Sequence, residues 1–331
     1  MRWTSRSPWR TVAAVVVGLG LVGAAFWIPI PVVYGYLPGP VRDVEELVAI
    51  DGRASYSSEG GLFLTTVYVD PRVTFAELIV DILDPAKSIV TRESITGGGS
   101  FKDLQRAERR QMAISQSAAK IVALSELGLA TPTGNGAYVA DVVGEPARGL
   151  VRRGDVIVAV DDEPTDTLCE VGREIGEHRP GDQIRVTLNR GGRRQVVSVR
   201  AGTSPTIPGR AYLGVAMRRN FDFEPGFVVD FETGRILGPS AGLMLTLALY
   251  DRLTPADLTA GREIAGTGTI HCDGSVGPVG GIEQKVAGAE GRGVEIFLAP
   301  AANFDVARSA ADDLEVVPVE TFDDALDYLN R

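Results

Sequence analysis

Apolar and polar positions follow different periods along the 331-residue chain. Between residues 45 and 70, runs such as LVAIDG and GLFLTTVYV alternate with turn residues, which is typical of strands. The stretch TFAELIVDIL and the segment Phe101–Leu127 repeat apolar positions every three or four residues, which predicts two helices. Gly128 is a suitable end for the second helix.

A long apolar run occupies most of the first 33 residues. Arg2, Arg6 and Arg10 precede TVAAVVVGLGLVGAAFWIPIPVV, which is long enough to cross a bilayer as a helix. Because the basic residues come before the run, we expect residues 1–10 to be a cytoplasmic tail and residues 11–33 a single-pass anchor in the plasma membrane. The remainder would then lie on the extracytoplasmic side. A cleaved signal peptide ending near VGAA is the alternative, and the length of the run favours the anchor.

Composition narrows the classes of partner. The chain has 33 basic and 43 acidic residues and a net charge of −10, which argues against a nucleic-acid partner. Its two cysteines, Cys169 and Cys272, lie far apart and lack metal-ligand spacing. We therefore expect no disulfide between them, no zinc or other metal site, and no cofactor.

A block of short apolar runs with Gly-Asp and Gly-Gly turns occupies residues 129–204. Its stretch GEPARGLVRRGDVIVAVDDEP, which includes a predicted strand at Val156–Val160, resembles PDZ domains of the bacterial type. The resemblance implies that the block binds an extended peptide as an added strand and holds its terminal carboxylate with backbone N–H groups. An inert spacer domain is the alternative. We place the peptide-binding residues at the start of the block, at Gly134, Gly136, Ala137 and Tyr138.

The sequence GPSAG places Ser240 between two glycines at the start of an apolar stretch. Ser240 is either a helix N-cap or a nucleophile. The match to G-x-S-x-G suggests a hydrolase triad, but neither His178 nor His271 follows at a suitable distance. Lys285 comes after two glycines, near the first turn of a predicted helix. Burial and the helix N-terminus both lower the pKa of a lysine, so that a neutral amine can act as base toward a serine.

GPSAG followed by GTGTIHCDGSVGPVGGIEQK closely resembles the Lon peptidase family. The resemblance implies a Ser-Lys dyad that hydrolyses peptide bonds, with Ser240 as nucleophile and Lys285 as base. It also implies that Thr267 holds the lysine amine. We expect backbone N–H groups of Ser240 and Ala241 to bind the oxyanion. The family often has an acidic residue two positions before the motif's proline, where this chain has Leu237.

GGLFLTTV and RRQMAISQSAAKIVALSELGL resemble the strand and long helix that precede the serine in Lon peptidases. We therefore expect an α+β fold, in which residues 40–128 and 205–331 form the Lon-type domain and residues 129–204 form the PDZ domain. The PDZ domain would be inserted in the Lon-type domain or precede its catalytic part. The anchor, the PDZ-like block and the Lon-type domain together resemble the YlbL-like proteins of Gram-positive bacteria. The hexameric rings common among Lon-type domains imply a homo-oligomer.

The expected function is that of a membrane-anchored serine endopeptidase acting on protein or peptide substrates. The sequence contains no G-x-x-x-x-G-K-[ST] motif, so we expect no nucleotide partner and cleavage without ATP. Two alternatives stay open. One is a catalytically silent scaffold whose PDZ domain binds the tails of partner proteins, and the other is an ordinary esterase.

Overall fold

The computed structural model describes residues 9, 13, 16–17, 23–24, 26–84, 86–205, 207, 209–218 and 220–331. The predicted cytoplasmic tail apart from residue 9, and ten of the 23 residues of the predicted anchor, therefore lie outside the described residues. Within the described residues, no helix combines the length and the apolar character needed to cross a membrane.

Eight α-helices lie wholly within the described residues. They are α1 (Phe75–Asp81), α2 (Arg92–Thr96), α3 (Phe101–Glu126), α4 (Leu168–Gly176), α5 (Gly242–Leu253), α6 (Ile282–Arg292), α7 (Phe304–Ala310) and α8 (Phe322–Leu329).

The strands of the described residues fall into two main sheets, one three-stranded sheet and four short pairs. They are β1 (Val33–Pro38), β2 (Arg42–Asp43), β3 (Val48–Asp51), β4 (Gly61–Leu64), β5 (Val67–Asp70), β6 (Ser88–Thr91), β7 (Thr133–Gly134), β8 (Ala137–Val142), β9 (Val156–Val160), β10 (Glu163–Pro164), β11 (Gln183–Arg190), β12 (Arg193–Arg200), β13 (Gly202–Thr203), β14 (Ala211–Tyr212), β15 (Val215–Arg218), β16 (Phe221–Asp222), β17 (Val228–Phe231), β18 (Glu263–Gly266), β19 (Thr269–Ile270), β20 (Val276–Gly277), β21 (Ile296–Pro300) and β22 (Glu315–Val319).

The larger domain is built on the sheet β2-β4-β18-β21-β22, in which β4, β18, β21 and β22 are parallel. Helices cover both faces, so the central strands are apolar at successive positions. Leu62, Leu64 and Leu298 pack into a core with α3, α5 and α8. Phe63 and Phe297 point to the other face, which α6 and α7 cover. The predicted α+β class is thus confirmed only in its coarser form, a mixed α/β protein.

Strands from both sides of the predicted PDZ block pair with each other in the larger domain. β3 pairs with β17, and β4 lies parallel to β18 in the central sheet. The segment between α3 and β17 therefore projects from a domain that two separate parts of the chain build.

That segment, residues 133–222, forms the smaller domain. Its sheet has the order β12-β11-β9-β8-β15, with β10 on β9, and α4 packs against β9. β7 and β16, by which the chain enters and leaves the domain, pair with each other. β15 lies beyond residue 204, so the sheet extends past the predicted end of the block.

A disulfide joins the two domains, and our expectation that the cysteines do not pair is wrong. Cys169 on α4 is bonded to Cys272 in the turn between β19 and β20, with Cα atoms 5.2 Å apart. The fold packs α4 against this turn, where Arg210 of the smaller domain forms an ion pair with Asp273. Gly172 makes the approach possible, because a Cβ there would lie 2.7 Å from the Asp273 carboxylate. The 103 residues between the cysteines left no local signal of this contact.

Candidate active site

Ser240 lies in the short 3-10 turn Pro239–Ala241, which leads directly into α5. The chain reaches this turn through Gly238, whose φ of 89° is a conformation that other residues rarely adopt. Ser115 on α3 donates a hydrogen bond to the Pro239 carbonyl oxygen at 2.9 Å. The turn is therefore fixed by its own backbone and by the long helix α3.

Lys285 lies in the first turn of α6, whose N-cap is Gly281. Its side chain points into the protein and the residue is only 3% exposed. Nζ lies 2.8 Å from Ser240 Oγ and 2.7 Å from Thr267 Oγ1. The structure thus brings together the three side chains that the sequence motif singled out.

The segment containing Thr267 is bonded to the backbone beside Ser240. Thr267 Oγ1 donates to the Ser240 carbonyl oxygen at 3.1 Å, and the Gly268 N–H donates to the same oxygen at 2.9 Å. The Leu243 N–H in turn donates to the Gly268 carbonyl oxygen at 3.0 Å. These bonds hold Ser240 and Thr267 at a fixed separation on opposite sides of the Lys285 amine.

Burial lowers the pKa of Lys285 from 10.5 to about 7. An ammonium group loses most of its hydration in such a position, whereas a neutral amine loses little. A substantial fraction of the Lys285 amine is therefore neutral near pH 7, with a serine hydroxyl at hydrogen-bonding distance. This arrangement can transfer a proton from Ser240 Oγ to Lys285 Nζ.

Ala241 is buried at the end of the 3-10 turn, and α5 begins at the next residue. The structure thus places Ser240 and Ala241 at the beginning of a helical segment, where N–H groups are not all used within the helix. An acidic side chain also approaches this turn, although Leu237 is apolar. A Cβ on Gly238 would lie 2.6 Å from Glu108 Oε2, and burial raises the pKa of Glu108.

The histidines do not complete a triad with Ser240, whose Oγ is bonded to Lys285. His178 Nε2 lies 3.0 Å from Asp161 Oδ2 inside the smaller domain. His271 lies in the turn that faces α4, and burial lowers its pKa. In the described ranges, no three His, Cys, Asp or Glu side chains are placed to hold a metal ion.

The structure places the predicted peptide-binding residues of the smaller domain on or beside paired strands. Gly134 pairs with Phe221, and the Gly136 N–H donates to the Asp166 carbonyl oxygen. Ala137 and Tyr138 begin β8, which has β9 on one side and β15 on the other. The assignment of these four residues to peptide binding stays a prediction. Within the described part of the sheet, β15 is the edge strand beyond β8.

Sequence reasoning did not find three groups around the site: Ser115, Glu108 and the disulfide. Ser115 and Glu108 lie on a helix more than a hundred residues before Ser240, where nothing in the local pattern sets them apart from other polar residues. The even number of cysteines, together with the predicted extracytoplasmic location, was the one available signal for the disulfide.

Two domain families match the chain. The PDZ domain family matches residues 105–200, and the C-terminal proteolytic domain of Lon protease (S16) matches residues 235–330. The second match includes Ser240, Thr267 and Lys285. The first starts within α3 and ends before β15, which completes the sheet in the structure.

Among curated proteins, Lon protease 1 of Myxococcus xanthus is 28% identical over 316 residues, covering 88% of this chain and 36% of that protein. Lon protease of Xanthomonas oryzae pv. oryzae is 25% identical over 329 residues, with the same two coverages. Lon protease of Phenylobacterium zucineum is 40% identical over 94 residues, or 27% of this chain and 12% of that protein. The chain thus spans about a third of the length of the first of these relatives.

Among solved structures, the PDZ domain of an SdrC-like protein from Listeria monocytogenes covers 26% of this chain and 90% of its own length. Its identity is 22% and its TM-score 0.24, a value too low to add to the domain match. The two domain matches agree with the two folded units and with the position of the buried lysine. The chain contains a PDZ domain and a proteolytic domain of the Lon type.

Proposed function

We propose that this chain is a membrane-anchored serine endopeptidase that cleaves peptide bonds with a Ser240–Lys285 dyad and without ATP. The contact between the two side chains, 2.8 Å long, carries the proposal. The alternative, in which Ser240 only caps a helix and Lys285 is a surface lysine, does not fit this contact. Lys285 is buried and its pKa is lowered to about 7.

In the proposed reaction, Ser240 Oγ attacks the scissile carbonyl carbon while neutral Lys285 Nζ accepts the hydroxyl proton. The N–H that Lys285 donates to Thr267 Oγ1 fixes the rotation of the amine and leaves its lone pair for Ser240. Thr267 therefore positions the base. Backbone N–H groups of Ser240 and Ala241 stabilise the oxyanion of the tetrahedral intermediate.

The protonated Lys285 then gives its proton to the leaving amine, and the first product departs. Water attacks the acyl-enzyme, with Lys285 again accepting a proton, and Ser240 is regenerated. Lys285 is neutral before each attack and charged after it, so the same amine accepts and then returns one proton in each half of the reaction.

The proposed substrates are flexible segments of proteins on the extracytoplasmic side of the plasma membrane, and the PDZ domain recruits them or gates their access. Residues 11–33 are the proposed anchor. The disulfide supports this location, because disulfides persist in oxidising compartments and are rare in the cytosol. A hexameric ring belongs to the proposal, and mass photometry of the full-length protein in nanodiscs tests it.

A serine-reactive fluorophosphonate probe tests the dyad. We expect an adduct at Ser240, found by peptide mapping, which is lost in Ser240→Ala and strongly slowed in Lys285→Ala. The matched controls, Ser309→Ala and Lys102→Ala, change exposed side chains and keep the wild-type rate. Circular dichroism checks that all four variants are folded. An adduct that forms in Lys285→Ala at the wild-type rate contradicts the proposed base.

Turnover of an unfolded fluorogenic protein without nucleotide tests the claim of ATP independence. Loss of turnover in Ser240→Ala assigns the cleavage to this site. If wild-type protein forms no adduct and cleaves nothing while its PDZ domain binds peptide tails, the silent scaffold is the better description.

A further inference from the structure

Helix α1 exposes an apolar face. Its sequence, FAELIVD, continues into Ile82 and Leu83. Residues spaced by three or four positions lie on one side of a helix, and here that side is exposed instead of buried. We call these residues the apolar stripe: Phe75, Ile79, Ile82 and Leu83, which are 50%, 56%, 68% and 80% exposed.

The charged residues of α1 are held away from the stripe by bonds of their own. Glu77 accepts hydrogen bonds from the backbone N–H and the hydroxyl of Thr74, in a capping box that fixes the start of the helix. Asp81 is buried and lies 2.9 Å from Lys87 Nζ. The stripe is therefore an apolar surface without a free charge on its own helix.

The start of α1 is bonded to the carboxyl-terminal part of the predicted membrane span, residues 11–33. The Ala76 N–H donates to the Phe26 carbonyl oxygen at 3.1 Å, and the Ile30 N–H donates to the Val73 carbonyl oxygen at 2.8 Å. Trp27, between these two attachment points, is 71% exposed. The exposed Trp27 thus belongs to a segment that is held against the start of the helix carrying the stripe.

This attachment places the stripe at a defined level relative to a bilayer. If residues 11–33 cross the membrane, the carboxyl end of the span lies at the outer interface, and α1 is bonded to that end. Tryptophan and phenylalanine favour this interface, and short apolar helix faces insert there without spanning the bilayer. The occupant that fits the stripe is therefore the lipid surface itself.

We propose that the apolar stripe lies in the headgroup region of the membrane that holds the anchor and fixes the larger domain against that surface. The proposal rests on the proposed anchoring of residues 11–33. β6 follows α1 closely, and Gln284 on α6 donates to Ser88 Oγ at 3.4 Å. Because α6 also carries Lys285, contact of α1 with lipid orients the dyad relative to the membrane. The substrate class that this orientation favours is the membrane-proximal segment of an anchored protein.

Fluorescence quenching by lipids tests the proposal with the full-length protein. Single cysteines introduced as Ile79→Cys, Leu83→Cys, Val17→Cys and Val196→Cys are labelled with the environment-sensitive dye NBD without reductant. The protein is reconstituted into vesicles of phosphatidylethanolamine and phosphatidylglycerol that contain spin-labelled lipid. Val17 reports on the anchor, and Val196, an exposed apolar residue of the smaller domain, is the control. We expect lipid quenching about threefold stronger at positions 79 and 83 than at 196.

The four positions separate failure of the stripe from failure of the anchor. Quenching at 17, with 79 and 83 no different from 196, leaves the anchor intact and overturns the stripe proposal. Quenching at 79 and 83 without quenching at 17 supports lipid contact by the stripe and removes the anchor. Cross-linking of Ile79→Cys between copies, without lipid quenching, identifies a second copy as the occupant and overturns the proposal.

An activity comparison tests the consequence for substrates. The double variant Ile79→Ser/Leu83→Ser changes exposed side chains outside the catalytic site, so we expect its cleavage of a soluble peptide to equal that of the wild type. Cleavage of the same peptide tethered close to the vesicle surface should fall about threefold, and Val196→Ser should cleave both substrates normally. Equal rates for the double variant and the wild type on the tethered peptide overturn the orientation role.

Discussion

Burial, rather than a neighbouring charge, lowers the pKa of Lys285 to about 7. The amine nevertheless has two hydroxyl partners, Ser240 Oγ and Thr267 Oγ1, which hold it in one place. The pKa of such a base depends on the exclusion of water from its surroundings. The protonation state of Lys285 is therefore the most direct quantity to measure.

The pH dependence of cleavage follows from this pKa. Since only the neutral amine accepts the proton of Ser240, kcat/KM should rise with pH through about 7 and level off above it. Steady-state kinetics with a short peptide substrate between pH 5.5 and pH 9 measure the profile. A rate that falls as pH rises through 7 would show that the lysine does not act as the base.

The same burial destabilises the folded protein. Between pH 7 and pH 10.5, Lys285 is protonated in the unfolded chain and neutral in the folded chain. Because the unfolded chain binds more protons in this range, the free energy of unfolding rises with pH. Lys285→Met should therefore be more stable than the wild type at pH 7. This advantage should shrink by about 2 kcal/mol between pH 7 and pH 9 in urea unfolding experiments. An unchanged difference would mean that the amine titrates normally.

Thr267→Val tests whether Thr267 positions the Lys285 amine, independently of the burial of that amine. The variant keeps the shape of the side chain but removes the oxygen that accepts from Lys285 Nζ and the hydroxyl that donates to the Ser240 carbonyl. We expect kcat to fall about tenfold to hundredfold, with KM little changed. Thr187→Val, on a strand of the smaller domain, is the control, and Thr267→Ser should restore most of the activity.

At the scale of elements, the close approach of α3, α5 and the segment after β18 shapes the site. A Cβ on Gly242 would lie 2.3 Å from Ser115 Oγ and 2.9 Å from the Ile270 backbone nitrogen. The second glycine of GPSAG is therefore required by packing, which explains why the motif surrounds its serine with small residues.

Gly242→Ala should push these elements apart. We expect a loss of about 2 kcal/mol in the free energy of unfolding, with a lower kcat because the turn carrying Ser240 shifts. Gly288→Ala on α6 is the matched control: its added methyl group meets only ordinary contacts, and helix propensity favours alanine. Urea unfolding and peptide turnover measure both variants. Wild-type stability in Gly242→Ala would contradict the packing argument.

The sequence predicted those elements whose signals are local. α3 ends one residue before the predicted Leu127, with Gly128 in a left-handed conformation, and β9 occupies the predicted residues Val156–Val160. The resemblance of GPSAG and GGIEQK to the Lon peptidase family implied that Ser240 and Lys285 would meet. The approach of Glu108 to Gly238 had no such signal, since it depends on how a distant helix crosses the site.

The surroundings of the predicted peptide-binding residues depend on a contact that local signals do not show. Nothing near Gly134 and Gly136 indicates that β8 lies inside the sheet, where β15, a short strand far along the chain, pairs with it. Strand pairing at long sequence separation cannot be read from the turn residues at either end. The same limit applies to the disulfide, whose cysteines lie in different domains and 103 residues apart in sequence.

At the scale of the whole molecule, two domains with separate cores are joined by a covalent bond outside the backbone. Cross-linking residues 103 positions apart restricts the unfolded chain, and bonds closing long loops contribute about 2–4 kcal/mol. We therefore expect reduction to lower the thermal midpoint, and Cys169→Ser/Cys272→Ser to show the same midpoint with or without reductant. Peptide mapping without reductant should recover the 169–272 pair, and free thiols at both positions would refute it.

β7 and β16 form a narrow two-stranded stem between the domains, and a stem of this kind is a natural pivot. The bond from Cys169 to Cys272 adds a second point of attachment away from the stem, on the turn that leads back from Thr267. Because the stem and the disulfide attach the domains at two separate points, rotation of one domain about the stem is restricted. If the smaller domain captures a peptide as proposed, the oxidised protein would present it to Ser240 from a restricted range of directions. Distance distributions between spin labels on the two domains should broaden once the bond is cut.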